Sequence, residues 1–167
     1  MAKEESFDIV SEVNLQEVDN AYQQTRKEMT QRYDLKGSKA TLEFDKNTQR
    51  FTLVAPSEFV ARQVIDVLNT KFVQRKVDLK ALSWSAPEAA SGMTVRFRGD
   101  LIQGISKDLA TKISKNIRDL KMKRVKVQVE GEKLRVFSPS RDELQEVIAY
   151  LREQDYGQPL QYINYRS

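Results

Sequence analysis

The side chains of this chain best placed for chemistry are cations set where an anion could meet them. Arg118, Lys121, Lys123, Arg124 and Lys126 crowd into nine positions of "NIRDLKMKRVKVQV", 116–129, with Asp119 as the one acid. Lys112 and Lys115 precede them at a spacing of three, in line with Arg118. Such a run suits phosphate contact, and it equally describes the wet side of a helix and its turn. The ending "YGQPLQYINYR", 156–166, offers Gln158, Gln161 and Asn164 as amides, Tyr162 and Tyr165 as rings and Arg166 as a cation. Amides read base edges, rings stack on bases and a guanidinium takes phosphate; an edge strand with ordinary polar residues fits the same composition.

Absences narrow the chemistry. The chain has no histidine and no cysteine, so the commonest general base, the usual zinc ligands and the thiol nucleophile are missing. The serines have no imidazole to activate them. "FRGDLIQGISK" has glycines at 99 and 104 with the phosphate-loop spacing and Ser106 in the hydroxyl slot, but Ile105 stands where the lysine is needed. The expectation is a protein without catalytic centre, metal or cofactor. With no cysteine framework and no long apolar run in "MAKEESFDIV", it reads as cytoplasmic, with no membrane partner. Net charge is +4, unevenly placed: residues 1–90 carry 13 basic and 14 acidic side chains, and 91–167 carry 15 and 10. The second half is the one suited to an anionic partner.

The elements that must position these residues are written twice. "DLKGSKATLEF" (34–44) aligns with "DLKMKRVKVQV" (119–129), and "FTLVAPSEFVARQVIDVL" (51–68) with "LRVFSPSRDELQEVIAYL" (134–151). Each copy reads strand, helix, strand, strand, helix, strand, which predicts an α+β fold: a tandem duplication of two ferredoxin-like (βαββαβ) units. Each would be a four-stranded antiparallel sheet with two helices on one face. The first repeat spans 1–86, the linker 87–92 and the second 93–167.

In the first copy, "FDIVSEV" alternates as a strand, and Asn14 with Glu17 opens a helix whose apolar stripe is Leu15, Val18, Tyr22, Met29 and Tyr33. Ser57 caps a second helix buried through Val60, Val64, Val67, Leu68 and Phe72, and "VDLKAL" makes a closing strand. In the second copy, Asp100 with Gln103 and Ser140 with Glu143 repeat the caps, and Leu109, Ile113, Ile117 and Leu120 form the first helix's stripe. If Val95, Phe97, Val125, Val127, Val129, Leu134 and Val136 face the helices, the uncovered side shows Arg96, Arg98, Lys126, Gln128, Arg135 and Phe137. Four of the six are cations, against a nearly neutral Thr41, Glu43, Arg50 and Thr52 in the first copy. That is the composition of an RNA-contacting sheet, poor in aromatics, and also of a salt-laced solvated one.

"SFDIVSEVNLQEV", "RYDLKG" (32–37), "LIQGIS" (101–106), "KISKNIRDLKMKRVKVQVEGEKLRV" and "GQPLQYINYR" together resemble the YajQ family of small bacterial proteins along essentially the whole chain. The resemblance implies two tandem ferredoxin-like units that have exchanged their N-terminal strands. Strand 6–13 would then join the second copy's sheet and 93–99 the first's, giving spatial domains of about 14–99 and 1–13 plus 100–167. Arg96 and Arg98 would leave the basic sheet, and Asp8, Val10 and Glu12 would replace them. It also implies nucleotide binding, with ATP, GTP, cyclic-di-GMP and tRNA as the ligand classes. The positions carried over are Arg32, Asp34, Lys36 and Gly37, and Gly157, Gln158, Gln161, Asn164 and Arg166. The functional expectation is a non-enzymatic protein that binds a nucleotide or RNA through basic and amide side chains. The alternative is a regulatory module that senses a small nucleotide and engages a protein partner.

Overall fold

The computed structural model describes residues 3–167. The fold is α+β, with four helices and two sheets, an arrangement consistent with two ferredoxin-like units. One unit is residues 13–102; the other joins residues up to Glu12 with Gln103–Ser167.

The 13–102 unit holds α1 (Leu15–Gln31), β2 (Thr41–Asp45), β3 (Arg50–Ala55), α2 (Glu58–Gln74), β4 (Leu82–Trp84), β5 (Glu88–Ala90) and β6 (Thr94–Leu101). Its five-stranded sheet runs β2-β3-β6-β4, with β5 also on β6. The Asn14 and Ser57 side chains accept from the main-chain N–H of Glu17 and Val60, satisfying amides that a helix start leaves free. Phe51 is fully buried among Tyr22, Phe44, Phe72 and Trp84, with ring centroids 4.4–6.3 Å away. Burying a ring of this size contributes about 2–3 kcal/mol. Gly99 lies inside β6 because a Cβ there would come within 2.8 Å of the Trp84 ring.

The other unit holds β1 (Glu5–Val10), α3 (Lys107–Arg118), β7 (Lys126–Glu130), β8 (Lys133–Ser138), α4 (Arg141–Arg152) and β9 (Gln161–Arg166). Its four-stranded sheet has the order β7-β8-β1-β9, and every pairing is antiparallel. Phe7, Ile9, Leu134 and Val136 alternate toward Ile113, Ile117, Leu144 and Val147, making an apolar core with both helices on one face. Among the described residues of this unit, no helix lies on the opposite face.

Several expectations are corrected. The two sheets are not both four-stranded, since residues 88–90 of the expected linker form β5 against β6. The closing strand expected around "VDLKAL" starts only at its last residue, Leu82, as β4, because Asp78 caps a single helical turn at Leu79–Ala81 before it. Asp100 does not cap α3. It stands in β6, where it takes Arg50 at 2.7 Å, and Ser106 is the cap, accepting from Leu109 N–H. Tyr33 falls beyond the end of α1 and is 98% exposed, and Val129, on edge strand β7, is 50% exposed. Arg96 and Arg98 pair with β3, not with the strands that carry Arg135, which overturns the face read from alternation and agrees with the one the resemblance implied.

Candidate functional site

The open face of the β7-β8-β1-β9 sheet brings together Lys126, Arg135, Asn164 and Arg166 of the sequence's candidate residues. Register fixes its rows. Across the sheet, Arg166, Ser6, Phe137 and Lys126 form one row, and Ile163, Asp8, Arg135 and Gln128 the next. Lys133 and Glu130 pair beyond them. Strand spacing puts the ends of a row about 14 Å apart, and successive rows lie about 7 Å apart. Lys126, Lys133, Arg135 and Arg166 therefore face three acids, Glu4, Asp8 and Glu130.

Asp8 organises the face. It is an acid between Phe7 and Ile9 of β1, its side chain wholly buried, with cations above it. Arg135 Nε donates to Oδ1 at 2.9 Å, Arg166 reaches both oxygens at 3.3–3.4 Å, and Asn164 Nδ2 donates to Oδ2 at 3.0 Å. Lys133 Nζ lies 3.5 Å away. Burial on its own would push the Asp8 carboxyl up; the hydrogen bonds from Arg135, Asn164 and Arg166 outweigh it and hold the group well below the usual carboxylate range. One carboxylate thus orients three cations while hidden from solvent, so an incoming anion meets guanidinium and ammonium groups rather than the acid. Asn164 reaches it because β9 breaks register there, with φ +59°.

The other tail amides are committed to the main chain. Gln158 Nε2 donates to Ser11 Oγ and to the Gly104 carbonyl, both at 2.8 Å, and Ser11 Oγ donates to the Pro159 carbonyl at 2.6 Å. Gln161 takes Glu12 N–H at 2.8 Å and donates to its carbonyl at 3.3 Å. These bonds tie the end of β1 to the turns before α3 and β9. Gly104, at φ +79°, has the Glu132 carboxylate where a Cβ would be, 2.7 Å off.

The remaining candidates divide between two places. Lys112 and Lys115 are exposed on α3, Lys112 lying 5.7 Å over the Tyr156 ring. Lys121, Lys123 and Arg124 sit in the α3–β7 turn, and Arg124 pairs with Glu143 at 2.9 Å. Lys126 reaches Glu4 at 3.6 Å. Arg32, Asp34 and Lys36 belong to the 13–102 unit, where they make the turn out of α1. The Arg32 carbonyl accepts from Leu35 and Lys36 N–H, and Asp34 takes Arg32 at 2.7 Å and Gln63 at 2.9 Å. Gly37, at φ +79°, and Leu35 line a hollow of about 440 Å³ together with Arg26 and Lys39. Sequence reasoning missed Lys133 and Glu130. The period-two signal was present, since Lys133 alternates with Arg135 and Phe137 on one strand.

A family model described as nucleotide-binding protein YajQ-like matches residues 5–166. The chain belongs to that family. A relative from Desulfitobacterium hafniense (strain DSM 10664 / DCB-2), named as a nucleotide-binding protein, is 49% identical over 166 residues, covering 99% of this chain and all of the relative. One from Heliobacterium modesticaldum, with the same name, is 48% identical over 167 residues and the full length of both. A third, from Endomicrobium trichonymphae and also so named, is 44% identical over 166 residues, 99% of this chain and all of its own. Among the described residues no helix is long and apolar enough to cross a membrane, and no cluster of acids is arranged to hold a metal ion.

Proposed function

We propose that this YajQ-like protein binds nucleotide phosphates, without catalysis, on the open face of the β7-β8-β1-β9 sheet. The observation that carries the reading is the convergence of Lys133, Arg135 and Arg166 on the buried Asp8, one row from the half-buried ring of Phe137. A base stacked on Phe137 sets its phosphates over the next row, about 7 Å along the strands, where the oriented cations stand. Lys126, beside the ring, serves a second phosphate, and Gln128 offers an exposed amide to a base edge. The names of the relatives support nucleotide binding in general. The ligand classes suited to such a face are ATP, GTP, a cyclic dinucleotide or single-stranded RNA segments such as those of tRNA.

Two further readings rest on strand pairing and on the hydrogen bonds of the tail amides. The pairing of β1 with β8 and β9, and of β6 with β3 and β4, supports an exchange of first strands between two duplicated units. That exchange delivers Asp8 to the cations. The committed bonds of Gln158 and Gln161 favour a supporting role for them over direct base reading.

Calorimetric titration with ATP, GTP, cyclic-di-GMP and tRNA at two salt concentrations tests the proposal. Saturable binding that weakens steeply with salt and is lost in the Arg166→Ala, Lys126→Ala double variant supports it. Binding of none of the four, or binding indifferent to that variant, contradicts it.

A further inference from the structure

The edge of the same sheet carries a second surface. β7 is a terminal strand, so one side of its main chain faces no strand. Natural edges are blunted by kinks, bulges or cover. β9, the opposite edge, is broken by its register shift and left-handed Asn164. β7 pairs with β8 in continuous register over five residues. Beside it, on the helix side, lies a groove of about 490 Å³ walled by Val125, Val127 and Val129 and by Thr111, Ser114 and Arg118 of α3.

The sequence alignment shows why the groove is unfilled. Val129 occupies the position of Phe44, and Leu134 that of Phe51. In the 13–102 unit these two rings stack at 4.4 Å. Val129 has no such partner and remains half exposed. The groove's cations are Arg118 and Lys126, and Lys121 and Lys123 follow Arg118 in the turn between α3 and β7; Arg118, Lys121 and Lys123 have no ion-pair partner among the described residues. The groove contains no aromatic ring on which a base could stack.

We propose that β7 and this groove dock an acidic, extended segment of a partner protein, which adds a strand to the sheet. The segment's main chain pairs with the free edge of β7. Alternate apolar side chains enter the groove over Val127 and Val129, and its carboxylates meet Arg118 and Lys123. A nucleic acid would use the same rim charges but neither the free amides nor the valine wall.

The test uses a fluorescein-labelled, terminally blocked peptide of alternating glutamate and valine, about seven residues long, added to the full chain. Saturable binding is expected, with amide chemical-shift changes centred on Lys126–Glu130. Val129→Phe, which puts a ring into the groove, should weaken binding about tenfold or more while leaving nucleotide titrations unchanged. The Arg118→Glu, Lys123→Glu double variant should weaken it comparably and carries the test if Val129→Phe lowers the melting temperature. Methylating alternate peptide amides should abolish binding. Absence of saturable binding, indifference to both variants, or displacement by a short oligouridylate that persists in the Arg166→Ala, Lys126→Ala variant would overturn the proposal, the last assigning the surface to nucleic acid.

Discussion

The two open sheet faces of this chain are built on similar frames and handle charge in opposite ways. In the 13–102 unit, Arg50, Arg96 and Arg98 stand among Glu43, Asp45, Glu88 and Asp100, so the face carries a slight excess of acid. Its ion pairs are one to one across neighbouring strands: Arg50 with Asp100 at 2.7 Å and Arg98 with Glu88 at 3.2 Å. In the other unit, three cations converge on Asp8, and Lys126 stands apart near Glu4. Pairwise neutralisation leaves Arg96 as the one arginine of that face without an ion pair among the described residues. Convergence on one buried acid leaves positive charge in place and fixes its direction.

The sharpest way to break this contrast is to remove the convergence point. Asp8→Ala should lower unfolding free energy by about 2–3 kcal/mol in urea titration, less than for a fully buried pair because Lys133 and Arg166 reach solvent. Asp100→Ala, in the paired face, should leave the urea midpoint within scatter, as exposed pairs do. Next in size, Arg166→Ala or Lys126→Ala should each weaken nucleotide affinity about tenfold and reduce the salt slope by about one. Phe137→Ala should cost about tenfold through lost stacking, without changing that slope.

The smallest effect is acid sensitivity. The Asp8 carboxyl is depressed in the folded state, so its contribution is complete above about pH 4 and is lost as pH falls further. In urea titrations at successive pH values, Asp8→Asn should lack that part of the decline. An equal decline in the variant would assign it to other carboxylates.

Much of the frame was legible because period is a local property. Asn14, Ser57 and Ser140 cap where cap chemistry placed them, and Val64, Leu68, Phe72, Ile113 and Ile117 are buried where helical spacing put them. Errors arose where a long-range partner decided. Asp100 followed by Gln103 reads as a cap, but Arg50 on a neighbouring strand claims it. Val129 alternates like a core residue, yet an edge strand has no neighbour to cover it. The face itself was half legible: alternation alone put Arg135, Lys126 and Phe137 together, while the arrival of Asp8 from residue 8 depends on a pairing across more than a hundred residues that no local pattern encodes. Gln158 and Gln161 illustrate the remaining gap. Amides suited to a base by type are spent on Ser11, Glu12 and Gly104 once the chain closes.

The most direct test is amide chemical-shift mapping on the isotope-labelled full chain, titrated in turn with ATP, GTP, cyclic-di-GMP and tRNA at low salt. The prediction is that at least one ligand shifts amides of Ser6–Asp8, Lys126–Gln128, Lys133–Phe137 and Asn164–Arg166, leaving Thr41–Asp45 and Arg96–Asp100 unmoved. Shifts confined to the strands of the 13–102 unit, or none with any ligand, would contradict it.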